Sequence, residues 1–263
     1  MNWLTSLPAA ALVVGGLLLA VLVAAAARVC VRALVPVGEQ DRVPQIAMPL
    51  MPTLGAAFAI FAALSLASEA GYLRAAEGLV SDEAAAASRL AWASTSPRVR
   101  SEPIHAALLD YLRTTRAKEW VGTAAASGDD PATARAIARL ERSVRAEAAR
   151  PEVGTPTGTE LVVSLDAVTS SRRARIAAAE RDVPALYVVT LVVSGLALIV
   201  NSGALVFRSS LRTSLLVVGV ASVVGLSLAL LFALSAPWGG PFIVSGHPLD
   251  AIVVDLKSGF FRQ

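Results

Sequence analysis

Several residue types that build active sites and metal sites are scarce in this chain of 263 residues. It has one cysteine, Cys30, so neither a disulfide within the chain nor a cluster of cysteine ligands can form. His105 and His247 are the only histidines, and neither has a second histidine or a cysteine at the spacing of metal ligands. No glycine-rich phosphate loop and no nucleophile elbow occurs. We therefore expect that the protein is not an enzyme and has no catalytic residue, metal ligand or cofactor.

Charged residues are missing from four long stretches, and this absence is the most informative feature of the sequence. The uncharged intervals are residues 1–27, 43–68, 183–207 and 213–249. Each is longer than the about 20 helical residues that cross ~30 Å of hydrocarbon, and a chain in lipid must pair its backbone groups internally. The sequence therefore predicts an all-α integral membrane protein with four transmembrane helices. Because this number is even, both termini and the charged middle are expected on the same side of the membrane.

The boundaries of these segments follow from the prolines, glycines and charges beside them. The expected order is a first helix pair in 1–68 (spans 8–27 and 47–68), a helical soluble domain in 69–182, a second helix pair in 183–236 (spans 184–207 and 211–234) and a C-terminal tail in 237–263. Pro49 and Pro52 lie in the second span. They are expected to kink or unwind its helix unless neighbouring groups satisfy the freed carbonyls.

The middle segment has the composition of a neutral helical domain. Residues 69–182 contain 16 basic and 16 acidic residues, whereas a protein that binds nucleic acid needs a basic surface. We therefore expect no nucleic-acid partner. Caps, acidic first turns and first-turn prolines predict three helix starts: Ser81 with Asp82 and Glu83, Ser101 with Pro103, and Asp130 with Pro131. Residues 151–158 are expected to form a loop, and His105 is expected on the surface or half-buried.

Apart from Arg212, the second residue of the fourth, none of the spans contains an aspartate, glutamate, lysine or arginine. Proton relays and ion-coupled transporters usually bury at least one ionisable group at membrane depth, so this absence argues against both. A pore can instead be apolar, or can use hydroxyl groups and backbone dipoles. The polar side chains within the spans fit either a pore lining or contacts between helices: Thr53, Ser65, Thr190, Ser194, Asn201, Ser222 and Ser227.

Local signatures, together with the order of two spans, a helical domain and two spans, resemble the bestrophin-like family of bacterial membrane proteins. Two of them are Leu54-Gly55 in the second span and Arg172-Arg173 before the third. The most specific one is the stretch 237–249 after the fourth span. It resembles the family's pattern of proline, an aromatic residue, any residue and glycine, followed by Val-Ser-Pro-x-Pro and a hydrophobic residue. Gly246 stands where the family usually has proline. The signature residues of the middle domain and of this last stretch are Tyr111, Glu119, Trp120, Pro237, Trp238, Gly240, Val244, Ser245 and Pro248.

The family is distantly similar to the bestrophin channels, and this resemblance implies a homo-oligomer, a pentamer, with an axial pore lined by the second span. It makes Met48, Pro52, Ala56 and Phe58 candidates for the pore lining. Bestrophins have bulky neck residues where this chain has Pro52 and Ala56, so a hydrophobic gate there is expected to be wide or absent. The acidic residues of the bestrophin calcium clasp, expected soon after Pro237 and Trp238, are missing, so calcium activation is not implied for this chain.

The sequence leaves two functions open. The first is a bestrophin-like pore that passes small ions passively. The second is a non-conducting membrane adaptor or scaffold whose helical domain binds another protein. A ring of second spans around an axial hole would indicate the pore, whereas a monomer or a dimer without a hole would indicate the adaptor. The expected partners are membrane lipid and further copies of the chain, with an unidentified protein partner in the second case.

The arginines do not decide how the chain is oriented in the membrane. Five of them lie in the short connections on one side, and seven basic residues lie near the span ends on the other. The resemblance, more than the charge, leads us to expect a multi-pass protein of the plasma (inner) membrane. It implies that the soluble domain and both termini are cytoplasmic.

Overall fold

A computed structural model describes residues 9–36, 38, 40, 42–120, 123–181, 184–206 and 211–262 of the chain. This described part is almost entirely helical, and no β-strand occurs in it. Four of its helices are long and apolar enough to cross a membrane. The predicted all-α fold with four transmembrane helices is therefore confirmed.

The helices follow one another with short connections. In chain order they are α1 (Ala9–Leu34), α2 (Val43–Ala93), α3 (Ser101–Lys118), α4 (Thr123–Ser127), α5 (Pro131–Ala148), α6 (Thr155–Ala179), α7 (Ala185–Val206), α8 (Leu211–Leu234), α9 (His247–Ser258) and a 3-10 helix (Phe260–Arg262). The four candidate spans lie in α1, α2, α7 and α8. Both α1 and α2 are longer than the spans expected from the sequence.

The chain divides into two compact units. The membrane unit comprises Met1–Tyr72, Asp182–Ala236 and Gly240–Phe242, and the hydrophilic unit comprises Leu73–Arg181, Pro237–Gly239 and Ile243–Gln263. Helix α2 contributes residues to both units. The end of the chain, expected as a C-terminal tail, forms α9 and the 3-10 helix within the hydrophilic unit.

Small residues let the helices of the membrane unit approach one another closely. Helix α1 packs against α7 and α8, and α7 also packs against α8. A Cβ atom at Gly16 of α1 would lie 3.0 Å from the carbonyl oxygen of Gly225 in α8, and a Cβ at Gly225 would lie 2.6 Å from that of Gly16. The two backbones are therefore in contact, as is common where transmembrane helices meet at small residues.

The hydrophilic unit is built around apolar helix faces. Helix α3 packs against α5 and α9, and α6 packs against α4 and α5. Apolar residues that recur at intervals of three and four place one face of each helix in the core. The fully buried members include Ile104, Leu108, Leu112, Leu140 and Leu161.

Two of the three predicted helix starts are confirmed. Helix α3 begins at Ser101. Helix α5 begins at Pro131, and the carboxylate of Asp130 accepts hydrogen bonds from the N–H groups of Ala132 and Thr133, each at 2.9 Å. This cap satisfies N–H groups that have no partner within the helix.

The helix start predicted at Ser81 is wrong, because α2 continues through it to Ala93. The Ser81 hydroxyl donates to the carbonyl oxygen of Glu77 in the same helix at 3.1 Å. A serine before acidic residues fits a helix interior as well as a helix start, and the alanine-rich sequence that follows has a high helix propensity. The local cap signal was therefore overruled by the sequence around it.

The loop expected before α6 is shorter than predicted, and the prolines of the second span do not interrupt its helix. The loop expected over residues 151–158 ends early, since α6 begins at Thr155 with Pro156 in its first turn, where a missing N–H costs nothing. The chain does not unwind at Pro49 and Pro52, which both lie inside α2. The second transmembrane helix begins before these prolines, at Val43.

Candidate functional site

Three of the four pore-lining candidates share one flank of α2. Met48, Pro52 and Ala56 follow one another at intervals of four residues, which places them on the same side of a helix. Their side chains are exposed, and those of Ala59 and Ala63 continue the flank and are also exposed. We call these five residues the proline–alanine flank. Beyond Met48 it presents only proline and small side chains.

The neighbouring exposed flank of α2 has the opposite character. Ile46, Leu50, Ile60 and Leu64 are large and aliphatic, and between 48% and 66% of each is exposed. We call these four residues the aliphatic flank. Large aliphatic side chains are suited to lipid tails, whereas small ones let another helix or a water-filled space come close to the backbone. The exposed side of α2 can therefore face two different environments at once.

Phe58 does not belong to the proline–alanine flank. It lies two residues after Ala56, about 200° further around the helix, and is only 4% exposed. A Cβ atom at Gly195 of α7 would lie 3.3 Å from the Phe58 ring and 2.7 Å from the side chain of Val224. Phe58 therefore packs in the core of the membrane unit, and we correct its assignment to the pore lining.

A buried network of charges lies in the hydrophilic unit. Glu83 of α2 accepts hydrogen bonds from the Tyr111 hydroxyl at 2.5 Å and from Arg175 Nε at 2.6 Å. Glu119 accepts from Arg172 Nε at 3.1 Å and Nη2 at 2.5 Å, and its carbonyl oxygen accepts from Arg175 Nη1 at 3.2 Å. Both carboxylates, the tyrosine and Arg175 are 0% exposed. Two carboxylates and two guanidinium groups make the network neutral.

Burial and pairing fix the protonation states of Tyr111 and Arg175 in this network. Burial raises the pKa of the Tyr111 hydroxyl well above its ordinary value, and the Glu83 carboxylate raises it further. Burial acts to lower the pKa of Arg175, but Glu83, Tyr111 and Glu119 outweigh it and the pKa is raised. A general acid or base needs a pKa near the working pH, so neither group is suited to proton transfer. The network is suited to holding α2, α3 and α6 together.

Trp120 is the centre of a second cluster in the same unit. Its Nε1 donates to the carbonyl oxygen of Val244 at 3.2 Å, and its ring meets that of Trp238 edge-on with 5.7 Å between centroids. The guanidinium carbon of Arg116 lies 4.4 Å from the centroid of the Trp120 ring. Arg116 also pairs with the carboxylate of Asp250, through Nε at 3.0 Å and Nη2 at 3.1 Å. These contacts attach the stretch after α8 to the end of α3.

Two glycines in this stretch leave room for a neighbour. A Cβ atom at Gly246 would overlap the guanidinium group of Arg116. Glycine at this position therefore leaves the space that the Arg116 guanidinium occupies. A Cβ atom at Gly240 would lie 2.7 Å from the carbonyl oxygen of Ala236, to which the Gly240 N–H donates at 2.6 Å.

The remaining signature residues shape the turns before α9. The Val244 N–H donates to the carbonyl oxygen of Pro237 at 2.8 Å. The Ser245 hydroxyl accepts from the N–H of His247, the first residue of α9, at 3.2 Å, and Pro248 lies in the first turn of this helix. These residues close the turn and start the helix that carries Asp250.

The sequence profile of the Bestrophin-like domain matches residues 18–249 of the chain. The chain belongs to the bestrophin-like family. Its fold is similar to the crystal structure of a bacterial bestrophin homolog from Klebsiella pneumoniae that carries an isoleucine-to-threonine mutation, with a TM-score of 0.69 and 16% identity over 93% of this chain and 99% of that chain. No curated protein gives a significant match. The resemblance drawn from the signature residues is therefore confirmed at the level of the family.

The signature residues of this bestrophin-like chain are concentrated in the packing of the hydrophilic unit. Tyr111 and Glu119 belong to the charge network, and Trp120, Trp238 and Val244 belong to the tryptophan cluster. None of these five lies on the proline–alanine flank. These five residues therefore hold helices together.

The neighbourhood of Trp238 does not fit the calcium site that the bestrophins suggest. Calcium takes six to eight oxygen ligands, mainly carboxylates and carbonyls. The carboxylates of Glu83, Glu119 and Asp250 are each paired with an arginine, and Arg116 brings a positive charge to the tryptophan cluster. Among the residues that the structure describes, no group of three or more His, Cys, Asp or Glu side chains could hold a metal ion. We therefore derive no role for calcium.

Glu83 and Arg175 were not predicted from the sequence to belong to the network. Both lie on apolar helix faces: Glu83 is three residues after Val80 and seven before Leu90, and Arg175 is seven residues after Val168. An ionisable residue on a buried face needs a partner of opposite charge. This periodicity is the signal that could have identified the pair, although it could not have shown which charge meets which.

His105 is buried, contrary to expectation, and contacts the end of α2. Its Nε2 lies 2.8 Å from the Ser94 hydroxyl oxygen, and that hydroxyl donates to the carbonyl oxygen of Ala91 at 2.6 Å. The same Nε2 lies 3.3 Å from the carbonyl oxygen of Ala91, so His105 and Ser94 meet at the end of α2. Since Ser94 is completely buried, no substrate can reach its hydroxyl, and the pair is a structural contact.

Proposed function

We propose that this bestrophin-like protein is an ion channel. In this proposal the chain forms a homo-oligomer, a pentamer by its resemblance to the bestrophins, and the α2 helices surround an axial pore that passes small ions passively. The observation that carries the proposal is the division of the exposed side of α2 into a proline–alanine flank and an aliphatic flank. The first flank would face the axis, and the second would face lipid.

The chemistry of the proline–alanine flank favours passive flow. No ionisable side chain occurs in the uncharged interval 43–68, so ions would meet neither a fixed charge nor a proton carrier there. Apolar pores resist water and ions mainly where they are narrow. Met48 has the largest side chain of the flank, so we place the constriction at Met48 and expect a wider passage at Pro52 and Ala56.

The proposal is tested with a bulky side chain on each flank of α2. Ala56→Trp would place an indole in the pore and should abolish ion flux into liposomes while the oligomer keeps its size. Leu64→Trp is the matched control, because Leu64 is exposed on the aliphatic flank of the same helix. It should leave flux and oligomer size as in the wild type.

Four outcomes would contradict this proposal or part of it. Ion flux that is absent from well-folded wild-type protein under every salt gradient would remove it. Equal flux from both tryptophan variants would remove α2 as the pore lining. If Ala56→Trp instead disturbs assembly, position 56 packs against another helix, where overpacking typically costs about 1–3 kcal/mol. A monomer or a dimer without a hole would favour the non-conducting adaptor.

We further propose that the protein lies in the plasma (inner) membrane, with the helical soluble domain of residues 69–182 and both termini in the cytoplasm. The resemblance to the bestrophins supports this orientation. The even number of candidate spans supports placing the domain and the termini on the same side. The charges of the connections are compatible with either direction.

A further inference from the structure

We infer that Asn201 of α7 is a positioning residue for the narrow part of the proposed pore, an inference that rests on the proposed function. Asn201 lies within a transmembrane helix and is only 9% exposed. Its Nδ2 donates to the carbonyl oxygen of Ala47 in α2 at 3.0 Å and lies 3.6 Å from the sulfur of Met51. A side chain of one span therefore holds the backbone of another.

The turn of α2 held by Asn201 is the part of this helix with the fewest hydrogen bonds of its own. Pro49 and Pro52 have no N–H group, so the carbonyl groups of Gln45 and Met48 lose their usual helical donors. Lipid supplies no water to replace a lost donor. The carbonyl bound by Asn201, that of Ala47, is next to that of Met48. A donor from outside the helix therefore acts where the helix is easiest to deform.

The contacted residues are directly adjacent to the proposed constriction. Ala47 is buried and Met51 is partly buried on the inner face of α2. Met48 follows Ala47, and Pro52 follows Met51, so each lies about 100° further around the helix than its neighbour. Both Met48 and Pro52 are exposed. A rotation of the turn that contains Ala47 and Met51 therefore also turns Met48 and Pro52.

Ser202 supports the same turn from the next position of α7. Its hydroxyl donates to the carbonyl oxygen of Leu198 at 2.7 Å and lies 3.6 Å from the Met51 sulfur. The hydrogen bond to Leu198 is within α7, so it cannot replace the bond from Asn201 to α2. Replacing Asn201 therefore removes a hydrogen bond to α2 and leaves the bond within α7 in place.

The test measures how readily water reaches position 48. Met48→Cys in a Cys30→Ala background is reconstituted and treated with a water-soluble methanethiosulfonate, and the rate of thiol modification is compared with and without Asn201→Leu. Leucine has a similar volume and no donor. We expect the rate to change by about threefold, the factor that an average interhelical hydrogen bond in a membrane is worth, and ion flux per oligomer to change with it.

Two further variants complete the experiment. Ser194→Ala, also on α7, is the matched control, because the Ser194 hydroxyl donates to Leu191 of its own helix at 3.1 Å; it should leave the rate unchanged. If Asn201→Leu does not assemble, Asn201→Ser replaces it, since a serine hydroxyl can bond within α7 but is too short to reach Ala47. The same change in rate is expected.

The outcomes distinguish this inference from the proposed function. Suppose that Met48→Cys reacts and the wild type conducts. If the thiol at position 48 is then modified equally fast with Asn201, with an Asn201 substitution and with Ser194→Ala, Asn201 is only a packing residue and the inference is overturned. If Met48→Cys does not react and the wild type shows no flux, the proposed function itself fails. A loss of thermal stability without a change in rate also counts against positioning.

Discussion

Glu83 and Arg175 are both completely buried, and neither charge could be enclosed alone. Removing an ion from water costs several kcal/mol even after the protein relaxes, so each charge depends on the other. The pair also receives the Tyr111 hydroxyl and adjoins Glu119. Such a pair adds little net stability compared with apolar residues of the same size. It does fix which face of α2 meets which face of α6.

Arg175→Met should destabilise the hydrophilic unit by about 3–5 kcal/mol, because it leaves the buried Glu83 carboxylate without its positive partner. Thermal unfolding of the detergent-purified protein measures the loss. Arg173→Met, an exposed arginine two residues earlier, is the control and should be close to neutral. Adding Glu83→Gln to Arg175→Met should restore part of the stability. Equal unfolding of the two arginine variants would show that the buried pair has no such role.

Gly246→Ala should release Arg116 from the tryptophan cluster, since the added methyl group overlaps its guanidinium. The loss combines a partly exposed ion pair with Asp250 and a cation–π contact with Trp120, together about 1 kcal/mol. Thermal unfolding and tryptophan fluorescence should both report it. Gly78→Ala is the control, because nothing lies within 4 Å of a Cβ there, and alanine in a helix should stabilise.

A double-mutant cycle tests the cause of the Gly246 effect. Once Arg116→Ala has removed the guanidinium, Gly246→Ala has nothing left to displace and should cost little more. Residues that act through one contact are non-additive in this way. Additive losses from the two substitutions would mean that the methyl group disturbs something other than Arg116.

At the scale of elements, hydropathy predicted the spans well, whereas local caps predicted helix ends unevenly. Four uncharged intervals sufficed for four spans, because the lipid requirement acts on every residue of each interval. The cap at Asp130 formed, but the similar signal at Ser81 did not, since a cap contributes only about 1 kcal/mol and neighbouring helix-forming residues can outweigh it. Pairings such as Arg116 with Asp250 depend on the tertiary fold, so no local pattern could show them.

In the candidate site, too, the sequence could predict what helix geometry decides but not what tertiary packing decides. Intervals of four residues are enough to place Met48, Pro52 and Ala56 on one flank, because helix geometry alone decides that. The assignment of Phe58 to the pore lining rested on the resemblance and is wrong, because Phe58 lies on the side of α2 opposite to Met48, Pro52 and Ala56. Periodicity could have excluded it. The bond from Asn201 to Ala47, by contrast, required the packing of α7 on α2 to be known.

Glu147 joins two elements of the hydrophilic unit and should make their contact sensitive to acid. Its carboxylate, at the end of α5, accepts from the N–H of Arg100 at 3.1 Å, from Arg100 Nε at 2.7 Å and from Arg150 Nη1 at 2.8 Å. Burial acts to raise the pKa of Glu147, but the hydrogen bonds from Arg150 and Arg100 outweigh it and lower the pKa below its ordinary value of 4.5.

A lowered pKa in the folded state means that the Glu147 carboxylate stabilises the fold above pH 4.5 and loses this effect as the pH falls through the folded-state pKa. The unfolding temperature of the wild type should therefore drop on acidification. Glu147→Gln should unfold at a lower temperature at neutral pH but show a smaller drop. Parallel pH profiles for the two proteins would contradict the assignment, because other carboxylates contribute equally to both.

At the scale of the whole molecule, charge is sorted between regions. The four uncharged intervals carry no aspartate, glutamate, lysine or arginine, while the middle domain carries 16 basic and 16 acidic residues and is neutral. Part of that balance is internal pairing, as the contacts of Arg175, Arg172 and Glu147 illustrate. Paired arginines are not free to bind anionic lipid head groups or to bias insertion. Counting them therefore says less about orientation than their number suggests.

Orientation can be decided by the number of membrane crossings between two exposed positions. Gly38 precedes α2 and Ser127 ends α4, and both are exposed, so one span separates them. With a cytoplasmic domain, an impermeant thiol reagent applied to intact cells should label Gly38→Cys and not Ser127→Cys, each in a Cys30→Ala background. The opposite result would reverse the orientation. Labelling of both positions would mean that α2 does not cross the membrane, and the proposed pore lining would then fail with it.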